Sequence, residues 1–268
     1  MNSIFRFKIA IQTMKEHFKT TIILTLLFAF MAAVYAGMFP QFEDALIEML
    51  STGFGDSFNF LPHADQMATY VGFLTLELYQ IFWLLILAIM IGFIAASSIT
   101  KEIESKTIDL LMSNPISRKQ IVFEKFIGLI PMFLIINFCM MLTLMGTTIA
   151  IDQPLDFGNL AMVHLVSIPY FLAIISIGIL VSVFFDEKMK ASIVMIAIPF
   201  AMFFINSVSL MTPNLEFLRS FTIFHYFDTF DVLKFGNIDV VGVFVFISII
   251  TVCLVVSLIY FEHKDLPV

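Results

Sequence analysis

Six stretches of the chain, residues 20–38, 74–98, 126–150, 160–185, 191–211 and 240–260, run almost without charge for the length a helix needs to cross about 30 Å of hydrocarbon. A water-soluble fold would have to wrap them in a polar shell, and a chain with 60% hydrophobic and only 13% charged residues has little from which to build one. The expected fold is an all-α integral membrane protein, a single transmembrane domain over residues 1–268 with six transmembrane helices facing lipid.

Residues 1–19 alternate Arg6, Lys8, Lys15 and Lys19 with Ile4, Phe5, Phe7, Ile9 and Phe18. This leader is too long and too amphipathic for the basic end of a signal peptide, and no clear A-x-A site follows it. The first span is therefore expected to be retained, with an amphipathic elbow helix lying in the interface before it.

Orientation follows from the basic residues. Twelve of the fourteen Lys and Arg fall in residues 1–19, 99–125, 186–190 and the tail, which places those segments and both termini in the cytoplasm of a multi-pass plasma-membrane protein. The other side keeps only Arg219 and Lys234 beside twelve acidic residues, among them Asp65, Glu77, Asp228, Asp231 and Asp239. The net charge of −7 is thus an acidic outer skin and gives no support to a nucleic-acid partner.

The connection 99–125 is the most informative. Ile103, Thr107, Leu110 and Leu111 repeat at helical spacing opposite Lys101, Glu104 and Asp109, so the pattern predicts a short amphipathic helix ended by Asn114-Pro115. Ser117 followed by Gln120 has the form of a capping box opening a helix that runs through Lys125 into the third span. A plain charged loop would carry the same basic residues. On the other side, residues 39–73 contain Phe42, Ala45, Leu46, Met49 and Leu50 at helical spacing, which predicts an amphipathic helix on the outer interface. Residues 212–239 are too aromatic for a solvated loop and too interrupted for a span; they fit a segment that dips into the interface or forms a short re-entrant hairpin, or a plain aromatic belt.

The spans lack deep charges: Glu77 and His164 sit near outer ends, and mid-span polar groups such as Asn137, Ser176 and Asn206 are neutral. That argues against a proton relay or a voltage sensor. His164 reads as a hydrogen-bonded structural histidine. Ala88, Gly92 and Ala96, four apart, form a small-residue seam suited to packing against another protomer or within the bundle. Cys139 and Cys253 lie in apolar runs as small buried hydrophobes, the 17 methionines are scattered, and no Cys/His cluster has zinc-ligand spacing, so neither redox chemistry nor metal binding is expected. There is no G-x-x-x-x-G-K-[ST], H-E-x-x-H or G-x-S-x-G pattern, so no catalytic or nucleotide-binding residue is assigned and no enzyme activity is expected of the chain itself.

The stretch Ile103-Glu-Ser-Lys-Thr-Ile-Asp-Leu-Leu-Met-Ser-Asn-Pro-Ile-Ser-Arg-Lys-Gln-Ile-Val-Phe-Glu-Lys125 resembles the E-x-G-T-x-(D/E)-L-L-x-x-x-P-(I/V)-S-R pattern of ABC-2 type permeases. It departs from that pattern at Lys106, where Gly is common. The resemblance implies a fold like that of type V ABC exporters, with residues 99–125 as a cytoplasmic coupling region. It further implies a permease working as a homodimer or heterodimer with a second permease protomer, beside cytoplasmic ATPase subunits that bind ATP and Mg; this chain would hold no cofactor. Carried over by position, Glu102 and Glu104 lie at the start of the coupling helix, Thr107, Asp109, Leu110 and Leu111 on it, and Pro115, Ser117 and Arg118 at its exit turn. The cargo expected of such an exporter is hydrophobic or amphipathic: a drug, a peptide or a lipid-like molecule. The rival reading is a non-transporting immunity or sensor subunit that binds lipid or peptide on the same scaffold.

Overall fold

The computed structural model describes residues 7–52, 60–108 and 116–265, and every regular element among them is a helix. A short helix α1 (Lys8–Glu16) turns at His17 into α2 (Phe18–Ser51). Then come α3 (Tyr70–Glu104), α4 (Arg118–Ala150), α5 (Phe157–Phe184), α6 (Lys188–Met211), the short α7 (Thr229–Phe235) and α8 (Val240–His263). The six long helices are each long and apolar enough to cross a membrane, in agreement with the six expected spans.

The centre of the bundle is α5 with α3. In their most apolar stretches 72% and 67% of residues are buried, against 22–28% for α2, α6 and α8. α3 packs along α5 and α6, α5 along α8, and both α1 and α2 along α4. The outward faces of α2, α6 and α8 carry Phe30, Phe200, Phe204 and Phe244, a surface suited to hydrocarbon.

Apolar burial alone does not join helices in a bilayer, because lipid is as apolar as the core; close packing and internal hydrogen bonds do. Both are present. A Cβ on Gly178 of α5 would meet the Ala95 Cβ at 2.5 Å and the Gly92 carbonyl at 3.0 Å, so α3 and α5 touch backbone to backbone. Nearer the start of α5, His164 Nδ1 pairs with Asn137 Oδ1 at 2.7 Å and His164 Nε2 with the Tyr79 hydroxyl at 3.1 Å, while Trp83 donates to Ser167 Oγ at 3.0 Å. Both ring nitrogens of His164 are therefore occupied within the chain. Trp83 itself is fully buried, edge-on to Phe28 and Phe171. Within α3, Leu74–Leu87 winds as a π-helix, with the wider i→i+5 turn, and the Leu84 carbonyl accepts from the Tyr170 hydroxyl of α5 at 2.7 Å.

Two connections differ from expectation, and a third gains detail. The outer amphipathic helix is not separate: Phe42 to Leu50 continue α2 beyond Pro40, and Leu46, Met49 and Leu50 pack on a small satellite core of Leu61, Met67 and Leu76. That protein surface, rather than the interface, takes their apolar face. The helix expected from Ile103 onward is interrupted. Ile103 belongs to α3, which ends at Glu104, and Lys106 then takes a left-handed φ of 57°, so Ile103 and Thr107 do not share one helical face. Residues 212–239 form two 3-10 turns (Pro213–Phe221, Ile223–Tyr226) and α7, with Phe224, Phe227 and Phe230 buried and Phe217, Phe221 and Phe235 exposed. Tyr170 of α5 is ringed by Phe224, Phe227 and Phe246, so the segment folds back over the bundle without crossing it.

Candidate functional site

The basic connections meet at one end of the bundle, where α3 stops, α4 starts and α5 gives way to α6. Glu102, in the last turn of α3, forms an ion pair with Lys125 of α4; their side chains are 15% and 3% exposed. A second carboxylate, Glu104 Oε2, accepts from the Lys188 amide at the first turn of α6, 3.0 Å away, where a helix leaves donors unsatisfied and favours negative charge. Ser117 caps α4 by accepting from the Gln120 amide at 3.2 Å. Only that half of the expected capping box is made, because the Gln120 side chain turns instead to Glu124 Oε1 at 2.6 Å.

Arg118 reaches across to the C-terminal end of α8 and donates to the carbonyls of Phe261, Glu262 and Lys264. A cation there meets carbonyls that a helix end leaves free. Lys264 repeats the arrangement on α5, donating to the Val183 carbonyl at 2.8 Å and pairing with Asp186 at 2.7 Å. Lys119 and Glu262 add an exposed pair at 2.8 Å, worth little alone. The ends of α3, α4, α6 and α8 are thus tied to one another here, and α5 joins them through Lys264.

Glu124 does the same for α1. Fully buried, it accepts from the Ile9 and Ala10 amides in the first turn of α1, at 2.8 and 3.2 Å. Gly128 lets the two helices touch, since a Cβ there would lie 2.8 Å from the Ala10 carbonyl. His17, at the turn into α2, is held below the ordinary histidine pKa by burial, with Lys125 and Lys101 acting in the same direction and Glu16 opposing.

Thr107 closes the turn after α3: its amide donates to the Glu102 carbonyl at 2.9 Å and its hydroxyl pairs with Ser105 Oγ at 2.9 Å. Lys106 holds the left-handed conformation that a side chain disfavours and glycine accepts. Lys106→Gly is therefore expected to stabilise the protein by about 1 kcal/mol, read as a higher denaturation midpoint in detergent. An unchanged or lowered midpoint would show that the lysine side chain contributes more than the turn costs.

At the acidic end, two segments distant in sequence converge. His63 Nε2 lies 2.7 Å from Asp228 Oδ2, and its ring stacks on Phe230 with centroids 4.4 Å apart. The hydrogen bond to Asp228 raises the His63 pKa while burial opposes it. Burial works against the Asp228 charge, yet His63 and the Asp231 and Phe230 amides hold that carboxyl below the usual range. A cavity of about 190 Å³ beside Asp228 is lined by Asp228, Asp231, Asn237 and Asp239 together with apolar side chains such as Val166 and Val232.

A family model described as ABC-2 family transporter protein matches residues 13–266. The chain belongs to that family. No curated protein matches its sequence.

As an ABC-2 transporter permease, the protein owes its role to a membrane domain, and the basic end is where the residues singled out by sequence concentrate. The fold brings together Glu102, Glu104, Thr107, Ser117 and Arg118, each engaged with other parts of this chain. Asp109, Leu110, Leu111 and Pro115 lie outside the described residues. Ala88, Gly92 and Ala96 are buried within the chain, where Gly92 faces Met195 of α6 and Ile174 of α5, the internal of the two packings expected for this seam. Sequence reasoning missed Glu124, Lys125 and Lys264 as structural partners, since only their charge or helical position was visible. It also missed His63, because its partner Asp228 is 165 residues away.

Proposed function

We propose that this chain is the transmembrane subunit of an exporter driven by ATP hydrolysis in a separate cytoplasmic ATPase that binds ATP and Mg. The chain pairs with a second permease protomer, identical or different, in the plasma membrane, with both termini cytoplasmic. The cargo class is hydrophobic or amphipathic, in keeping with the apolar faces of α2, α6 and α8. Residues 99–125 are the element through which the ATPase acts.

One observation carries this reading. The helix ends that flank the connection are joined by the Glu102–Lys125 ion pair and by contacts of Glu104 with α6 and Arg118 with α8, and through Lys264 to α5. A partner that changes its contacts with this connection between two states biases all of these helices together.

The test is purification of the tagged chain in mild detergent with its genomic neighbours co-expressed. The expected result is an ATPase that co-purifies with the wild type and is lost when Leu110→Asp and Leu111→Asp are combined. A wild type that never retains an ATPase removes the exporter reading. Equal retention by the double variant removes the placement of the docking element.

A further inference from the structure

We propose that His63, Asp228 and Asp231 form a binding site for a divalent transition-metal ion of the zinc type, which joins the segment before α3 to α7 at the acidic end. The inference is independent of the ATPase reading, and its test needs no transport.

One ligand atom from each of the three residues lies within 4.8 Å of the others, although His63 is far from the aspartates in sequence. An imidazole with two carboxylates is a donor set that suits zinc, at bond lengths of about 2.0–2.2 Å. In a tetrahedral centre with those bonds the donor atoms stand about 3.3 Å apart. His63 Nε2 and Asp228 Oδ2, now sharing a hydrogen bond at 2.7 Å, therefore need to separate by only a fraction of an ångström.

The donors are oriented by contacts outside the set. Asp228 Oδ1 accepts from the Phe230 and Asp231 amides at 3.0 and 3.2 Å, which fixes the carboxylate and leaves Oδ2 to point at His63. Phe230 fixes the imidazole plane by stacking. Such supporting contacts are what hold metal ligands in place. His63 reaches this position only by adopting a left-handed φ of 60°, unusual for a side chain of its size. A cavity adjoins the two aspartates, although His63 is not part of its lining. Lys234, the cation on α7, is engaged elsewhere: it donates to Gln66 Oε1 and lies over the Phe230 and Phe235 rings. The twelve acidic residues on this side raise the local concentration of cations.

The experiment uses full-length protein in mild detergent, with the affinity tag removed and metals stripped by a chelator. Zinc binding is measured by competition with a chromophoric indicator, and thermal unfolding is followed with and without zinc. The expected result is one zinc per chain and a raised melting temperature. His63→Ala and Asp231→Asn should each weaken binding at least tenfold and abolish the thermal shift, since even the supporting shell of a metal site carries 10–100-fold in affinity. His263→Ala, at the opposite end of the bundle, should bind as the wild type does. Asp228 also caps α7, so the two other ligands keep the test independent of folding. A wild type without stoichiometric binding, or variants with unchanged affinity, overturns the site; so does loss of binding in His263→Ala.

Discussion

Replacing Lys125 with methionine is expected to destabilise the folded protomer by about 3–5 kcal/mol, the range seen when one partner of a buried ion pair is removed and the other charge stays behind. Glu102 would be that charge. Its second oxygen, Oε2, is already buried with no hydrogen-bond partner among the described residues, so losing Lys125 leaves the carboxylate without its ion-pair partner. The pair as a unit is worth much less, because moving both ions out of water offsets most of their attraction. Glu102→Met combined with Lys125→Met should therefore recover most of the loss. The four proteins form a double-mutant cycle, read by unfolding in one detergent system. Little dependence on salt is expected, since screening acts weakly on buried charges. A single variant as stable as the wild type, or a double variant no better than the single, would remove the ion pair from the account.

Glu124→Ala is the second large effect, expected at about 3 kcal/mol from charge-assisted hydrogen bonds and the favourable field at a helix start. The amides of Ile9 and Ala10 are donors that the first turn of a helix cannot satisfy internally, and both are buried against α4. Without the carboxylate they have no replacement, and α1 should detach before the rest unfolds. Trypsin cleavage after Lys15 then becomes faster at a temperature where the spans remain intact. Glu124→Gln keeps one acceptor oxygen and should fall between the two. If cleavage at Lys15 is the same in all three proteins, Glu124 does not anchor this helix.

The six spans were legible because a bilayer imposes a length on every crossing helix, and that length is written as an uncharged run. Their ends were not. Backbone hydrogen bonding continues past the point where lipid stops, so the third span begins at Arg118 and the second runs on to Glu104. The basic end was legible as charge, and Lys125 and Arg118 do share it. What each cation touches was hidden, since local periodicity carries no information on contacts such as Glu124 with Ile9, 115 residues apart. Lys106 is intermediate. Its departure from a glycine in the family pattern marked the position, and the left-handed backbone supplies the reason.

Pro40 divides α2 in a way that matters for any probe of its movement. From Phe18 to Phe39, at 1.5 Å per residue, the helix measures about 33 Å, close to the thickness of the hydrocarbon. The remainder, Pro40 to Ser51, adds about 18 Å and carries Glu43, Asp44 and Glu48. The first span therefore runs on into an acidic mast, braced on one side by the Leu61, Met67 and Leu76 cluster. A label on the mast reports sliding or tilting of the span as a change in its height above the membrane, without placing a foreign group among the crossing helices.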